Sequence, residues 1–275
     1  MSHHHINVED SMAVKDRVRL AEATIDDAEV LAEISKKAFD TDIDVGSPGE
    51  GGPPGYDEPE FQVKAMDYFD CYRILLDDEN VGGIYVASKT PGHKVLERIF
   101  VDPDHHRQGI GTRVMELAME RYPEAKLWTL GTPEWNVRTT AFYEKLGFVQ
   151  VGWDKREPET KGRWYEKTMD PSEPYVMTPI GELTDGMKDM DIEGEILEKG
   201  MARQVRSRRR RWQTLSVANA GFGDDSGRIV LVLWNEQIKQ VKVGDRVRIE
   251  YGYVSSYRGI NQLNVSRAGK LIHLI

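Results

Sequence analysis

Three prolines fall within nine positions at 171–179 (PSEPYVMTP), and no other feature of the 275-residue chain restricts its folding as strongly. Each proline removes a backbone donor and pushes the residue before it toward extended geometry, so neither a helix nor a central strand runs through this stretch. The chain must fold as two bodies, in keeping with about 100–200 residues per domain. The segment reads as a linker after Asp170, with a first domain over 16–170 and a second over 180–275. The opening MSHHHINVEDSM reads as a leader ending near residue 15, its three histidines native or tag-derived, and it enters no fold argument.

The two sides of the linker differ in charge. Residues 171–275 hold 16 Lys and Arg against 13 Asp and Glu, whereas residues 1–170 hold 21 against 33. Such asymmetry predicts different partners for the two halves, with nucleic acid disfavoured by bulk charge for the first and allowed for the second. No apolar run approaches the ~18–20 residues of a membrane span, and no signal peptide is visible, so the expected setting is cytoplasmic. A single cysteine, Cys71, excludes a disulfide framework and a cysteine-based zinc cage. No metal site is expected.

Before the linker, strand and helix patterns alternate. VRLAEA (18–23) reads as a strand. Thr24 is placed to cap a helix from Ile25 to Phe39, with Val30, Leu31, Ile34 and Ala38 on one stripe. Residues 44–59 carry five Gly and four Pro, too many for either regular element. Phe61–Phe69 suits a short helix. CYRILL, VGGIYVAS and KVLERIFV, separated by DDEN and TPGH turns, read as a three-strand antiparallel meander. A helix from about Gly109 to Arg121, the strand KLWTL, a helix from Asn136 to Leu146, and the strands FVQVGWD and RWYEKTMD complete an α+β domain around a mixed sheet. After the linker come five short strands, at 192–197, 213–219, 227–234, 245–254 and 261–265, with a GDDSG hairpin turn and a short WNEQIKQV helix or turn. That pattern predicts a small closed all-β barrel.

Chemistry enters at Val101-Asp-Pro-Asp-His-His-Arg-Gln-Gly-Ile-Gly-Thr112. A strand ends, a proline turn follows, and Gly109 and Gly111 open a helix. Its first free N–H groups point outward, an arrangement that attracts a pyrophosphate. No Gly-Lys-Ser/Thr follows, so this is no P-loop, and Val114 stands where a Rossmann fingerprint would need its third glycine. Downstream lies Asn136-Val-Arg-Thr-Thr-Ala-Phe-Tyr-Glu-Lys-Leu-Gly-Phe148. Together the two stretches resemble the GNAT acyltransferase superfamily over roughly residues 16–169, in the family's own element order. The first is similar to the family's Q/R-x-x-G-x-G/A pyrophosphate motif, with His106 at the Gln/Arg position. The second is similar to its Tyr-x-x-x-Gly-Phe signature.

The resemblance implies acetyl-CoA as donor. It implies that Ile99, Phe100 and Val101 offer main-chain groups to the acetyl carbonyl and pantetheine arm, that Gln108, Gly109, Ile110, Gly111 and Thr112 hold the pyrophosphate, and that Asn136 touches the arm. Tyr143 would protonate the leaving thiolate, against the plainer role of an aromatic packed beside Phe142 and Leu146. Transfer to an amine also needs a base. Glu97, four residues before Val101, is the candidate, directly or through water, with His93, His105 and His106 as weaker alternatives and Cys71 weaker still as a nucleophile. The acceptor is an amine: a protein lysine or N-terminus, or a small cationic amine. Residues 40–70 hold nine carboxylates and one cation, Lys64, which concentrates positive charge if the segment borders the acceptor site.

In the second domain Arg208, Arg209, Arg210 and Arg211, with Arg203 and Arg206 before them, lie between the first two barrel strands. Clustered arginines neutralise phosphates, and Trp234, Tyr253 and Tyr257 supply the stacking faces that single-stranded nucleic acid uses. The stretches TLSVANAGFGDDSGRIVLVLWNEQI and KVGDRVRIEYGYVSSYRGINQLNV resemble the archaeal single-stranded-DNA-binding and replication-protein-A type of OB-fold. That resemblance implies stacking by the three aromatics and backbone contact by Arg258 and the arginine loop, on DNA or RNA strands. The expected protein is an N-acetyltransferase fused to a nucleic-acid-binding OB-fold, with a homodimer allowed. The alternative is a nucleic-acid-binding protein whose first domain only holds acetyl-CoA or serves as an interaction module.

Overall fold

The computed structural model describes residue 14 and residues 16–157, 160–206 and 213–275. Internal contacts divide the chain into two compact units, 1–149 with 166–174, and 150–165 with 175–275.

In the first unit β1 (Val18–Glu22) pairs with β2 (Asp70–Leu76), β2 with β3 (Glu79–Thr90) and β3 with β4 (His93–Val101), all antiparallel. β4 then pairs in parallel with β5 (Leu127–Pro133). The helices are α1 (Ala28–Asp40), α2 (Pro59–Ala65), α3 (Ile110–Arg121) and α4 (Val137–Lys145). The helix expected from Ile25 opens with one 3-10 turn at Ile25–Asp27 before becoming α-helical. There the Asp27 carboxylate accepts from both the N–H and the hydroxyl of Thr24 at 2.8 Å, which holds the helix start. The stripe buries Leu31, Ile34 and Ala38 against Cys71, Tyr85 and Phe100, with Val30 at its rim. Each fully buried aliphatic side chain there contributes about 1.5–3 kcal/mol. The DDEN turn works because Asp77 and Asp78 both take positive φ, 51° and 72°, as a tight hairpin requires. A second 3-10 turn at Thr41–Val45 overlaps the start of the Gly/Pro-rich segment.

The second unit takes in most of β6 (Val149–Glu157) and β7 (Thr160–Thr168). Its main strands are β8 (Met190–Lys199), β10 (Thr214–Asp224), β11 (Gly227–Trp234), β12 (Arg246–Tyr257) and β13 (Ile260–Leu274); β11 has the bounds the sequence pattern suggests and the other four are longer. Between the first two lies a short strand that the sequence did not reveal, β9 (Arg203–Arg206), which pairs with Thr214–Val217 of β10. β10 pairs antiparallel with β8 and β11, β11 pairs in parallel with β13, and β12 pairs antiparallel with both β13 and β8. β6 pairs with the end of β13 through Gly152↔Leu274, Trp153↔His273 and Asp154↔Ile272. A four-residue helix, α5 (Gln237–Gln240), follows β11. Ile192, Ile196, Phe222, Leu231, Leu233, Val247, Ile249 and Leu263 form the core.

Candidate functional site

In the first unit the site is built around a break in strand pairing. β4 and β5 run side by side from His93↔Leu127 to Leu96↔Leu130. At that point the β3–β4 register slips, with Tyr85 opposite Arg98 and Val86 opposite Leu96, so Glu97 is an extra residue on β4. A one-residue bulge of this kind bends its strand and re-aims the side chain. Glu97 is exposed, and the β4 main chain from Ile99 to Val101 continues beyond the parallel ladder. Gly82 and Gly83 of β3 make room for this course. A Cβ on Gly82 would stand 2.2 Å from the Phe100 carbonyl oxygen, and one on Gly83 2.5 Å from the Phe100 ring. The Gly82-Gly83 pair therefore belongs to the candidate site's architecture, which period-two alternation alone did not signal.

After β4 the chain turns through Pro103–His105 and enters α3. Gly109 caps α3 at φ 82°, and the place its Cβ would occupy opens on empty space. The first helical hydrogen bond is Arg113 N–H to the Gly109 carbonyl at 3.1 Å, which leaves the amides before it as unpaired helix-start donors. Gly111 has a second role, because a Cβ there would press on the Phe142 ring of α4 at 3.3 Å. His106 turns back: its Nε2 donates to the Val101 carbonyl at 2.8 Å, tying the turn to the strand end. Gln108 is exposed and donates to the Asp104 carbonyl at 3.4 Å.

Tyr143 lies on α4, 6% exposed, with its ring against Phe142 and Phe148. Burial, and then the charge of Asp42, push its phenol above the ordinary tyrosine range, so it holds its proton. Asn136 caps α4 by accepting from the Thr139 N–H at 3.1 Å, and its side chain also hydrogen-bonds Asp42. The side chain is buried, with that cap and Asp42 as its partners. Asp42 in turn pairs with Arg138 of α4's first turn, and Arg138 also donates to the Thr41 hydroxyl at 3.3 Å. Burial raises the Asp42 carboxyl above the ordinary range, while Arg138, Asn136 and His106 oppose that rise. Among nine carboxylates in 40–70, nothing in the sequence singled Asp42 out.

The alternative bases fare differently. His93 is fully buried with Nε2 2.8 Å from the Thr129 hydroxyl, and so is part of the sheet interior. His105 lies in the turn before α3. Cys71 is buried and its thiol is pushed up to about 12 by desolvation, which keeps it protonated and unreactive.

In the second unit, strand alternation sorts the aromatics. Leu231 and Leu233 of β11, Leu263 of β13 and Val254 of β12 enter the core, so Trp234, Asn264, Tyr253 and Tyr257 share the opposite face. The register aligns Val232, Asn264 and Tyr253 across β11, β13 and β12, with Trp234 two residues further along β11. Trp234 and Tyr253 are half-buried and Tyr257 is exposed. Arg258, at φ 53° in the β12–β13 turn, sets its guanidinium 5.4 Å from the Tyr257 ring centre. The row that holds Trp234 continues through Val217 to Arg203 on β9. The register thus brings Arg203, mentioned in the sequence only as a neighbour of the arginine loop, onto the face of Trp234. Arg208–Arg211 lie outside the described residues.

Residues 40–148 match the Acetyltransferase (GNAT) family, and residues 191–273 match the family described as single-stranded DNA binding protein Ssb-like, OB fold. The chain is 38% identical over 79 residues to the uncharacterized protein YrkN of Bacillus subtilis, covering 28% of this chain and 43% of that one. It is 28% identical over 92 residues to the single-stranded DNA binding protein Ssb of Saccharolobus solfataricus, covering 34% of this chain and 60% of that one. It therefore spans less than two thirds of the length of either relative. Among solved structures, an acetyltransferase from Thermus thermophilus aligns at 17% identity with a TM-score of 0.47, covering 55% of this chain and 97% of that one. The PaiA N-acetyltransferase of Thermoplasma acidophilum, in complex with coenzyme A, aligns at 16% and 0.46, covering 55% and 98%. The chain carries a GNAT acetyltransferase domain followed by an Ssb-like OB-fold domain.

Proposed function

We propose that the protein transfers an acetyl group from acetyl-CoA to an amine, and that its OB domain binds single-stranded nucleic acid. The observation that carries the first half is the bulge at Glu97, where β4 leaves the parallel ladder beside a helix start with open amides. The cradle fits the donor, since Gly109 projects nothing into it and α3 offers unpaired N–H groups suited to a pyrophosphate. When bound, acetyl-CoA supplies the activated thioester. Main-chain groups of Ile99–Val101 line the arm and orient the acetyl carbonyl, and the first turn of α3 from Gln108 to Thr112 holds the phosphates. Glu97, exposed at the bulge, takes the proton from the incoming amine. A carbon–nitrogen bond forms as the carbon–sulfur bond breaks, and Tyr143 gives its proton to the departing sulfur. A placed acid of this kind is worth about 10²–10⁴-fold. Asn136 acts through Asp42 and the helix cap, holding α4 and so Tyr143 in place.

For the second half, we read the ring of β8, β10, β11, β13 and β12 pairings as a closed five-stranded barrel with Trp234, Tyr253 and Tyr257 on its outer face. The aromatics stack bases while Arg203, Arg258 and the arginine run Arg208–Arg211 meet phosphates. Two measurements on the full chain test the proposal. Thiol release from acetyl-CoA in the presence of an amine panel should exceed the amine-free rate, and a fluorescent oligonucleotide should be retained at low salt and released at high salt. Acetyl-CoA binding without transfer to any amine would leave the first domain a sensor of the cofactor. Failure to bind DNA or RNA strands would assign the aromatic face to a protein contact.

A further inference from the structure

Arg98 follows Glu97 on β4 and is 8% exposed; the charge of Glu97 acts on it, yet no carboxylate of the described residues closes an ion pair on its guanidinium. Its guanidinium lies among three rings, 4.7 Å from the Phe61 centre, 5.9 Å from Phe39 and 6.0 Å from Tyr85. Nη2 donates to the Pro54 carbonyl at 3.2 Å, and Nη1 is buried with no hydrogen-bond partner among the described residues. Desolvation lowers the guanidinium's pKa, but arginine stays charged in proteins. A buried cation with an orphan donor is costly to keep, and a similarly sized apolar residue would pack the same cage without that cost. The cage comes from α1, α2 and β3, so the charge sits on the side of the sheet under the α1–α2 segment.

The cover over Arg98 is tied down through neutral hydrogen bonds. Gln62, fully buried, accepts from the Tyr85 hydroxyl and donates to the Gly55 and Tyr56 carbonyls, both at 3.3 Å. Gly51 and Gly55, at φ 140° and 72°, give the strap its backbone freedom. The Pro54 carbonyl is a neutral acceptor at one corner of a group built for a planar, two-oxygen anion. Outside, the carboxylates of 40–70 favour an approaching ammonium. One buried cation beneath a segment rich in carboxylates suits a zwitterion.

We propose that the acceptor is a small amine carrying a carboxylate, of the amino-acid class, and that Arg98 binds that carboxylate once the 51–58 strap lifts the Pro54 carbonyl away. The proposal rests on the acetyl-transfer reading and names its substrate class. With the carboxylate on Arg98, the amine falls beside the neighbouring bulge at Glu97.

The test compares pairs that differ by the carboxylate alone: lysine with cadaverine, tyrosine with tyramine, histidine with histamine. In the wild-type chain, kcat/KM for the carboxylate member should exceed its partner's by about 10–100-fold in at least one pair, as a charged hydrogen bond predicts. Arg98→Lys keeps the charge but loses the fork and should shrink that ratio, and Arg98→Met should abolish it. Acetyl-CoA affinity, followed by calorimetry, should be unchanged in both variants. Equal or better transfer to all three carboxylate-free amines by the wild-type chain would overturn the proposal while leaving the acetyltransferase reading intact. A chain that acetylates other amines or a protein amine but none of the six would overturn the substrate class alone, and only a chain that transfers acetyl to no amine at all would sink both together. Should Arg98→Met fail to fold, Arg98→Lys carries the test, and a wild-type ratio in that variant would overturn the role of Arg98.

Discussion

The two proposed sites are made of different material. In the acetyltransferase unit the site is largely main chain: a strand leaving its ladder at Glu97, helix-start amides after Gly109, and two glycines that let β3 and β4 meet. In the OB unit it is side chain: Trp234, Tyr253 and Tyr257 standing on one face of regular strands. A backbone site tolerates many side-chain changes and fails abruptly where a Cβ intrudes or the path shifts. A side-chain site loses affinity in steps, one ring or one charge at a time.

The largest expected effect is at Tyr143, the exception within the backbone site. Tyr143→Phe should lower kcat by about 10²–10⁴-fold while leaving acetyl-CoA affinity near its original value, since the lost proton matters in the transition state. Because burial holds the phenol above the ordinary range, wild-type kcat should show no descending limb up to roughly pH 10. A limb near neutrality, or an undiminished kcat in a reaction limited by chemistry, would return Tyr143 to packing.

Next comes the abrupt failure. Gly109→Val forces a β-branched residue to φ 82° and fills the open cradle, with strain alone of about 1–2 kcal/mol. Acetyl-CoA affinity should drop more than about tenfold at unchanged oligonucleotide binding. Equal affinity in a folded variant would mean the phosphates lie elsewhere.

The graded losses follow on the other face. Trp234→Ala and Tyr253→Ala should each weaken single-strand binding by about 1–3 kcal/mol with the salt slope nearly unchanged. Arg203→Ser should do the reverse, flattening the slope of log K against log salt by about 0.7 with a small affinity loss at physiological salt. An Arg203 variant with the wild-type slope would remove β9 from the binding face.

Much of this plan was legible in the sequence because it depends on local order. The stripe of Leu31, Ile34 and Ala38, the DDEN turn and the alternation in VGGIYVAS are local patterns, and the elements formed where those patterns lie. Gly109 and Gly111 also read correctly as a helix opening. What escaped depends on a partner far away in the chain. The bulge at Glu97 exists because Tyr85 and Val86 pair unevenly across β3. Arg203 reaches the row of Trp234 through β10, two strands distant. Asp42 looks like any member of an acidic loop until Arg138 and Asn136, almost a hundred residues later, close on it. His106 was expected near the phosphates by position, and its ring instead ties down the Val101 carbonyl.

The pairing of β6 with β13 bears on how the chain can be dissected. The prolines at 171–179 invite a cut there, and a fragment beginning at 171 would include every strand from β8 onward. It would also lack residues 150–165, leaving His273 and its neighbours as a raw strand edge with unsatisfied amides and carbonyls. Exposed edges recruit other chains and aggregate. A fragment that precipitates or self-associates would then report on the missing hairpin rather than on the nucleic-acid face. Point substitutions in the intact polypeptide are the cleaner scalpel.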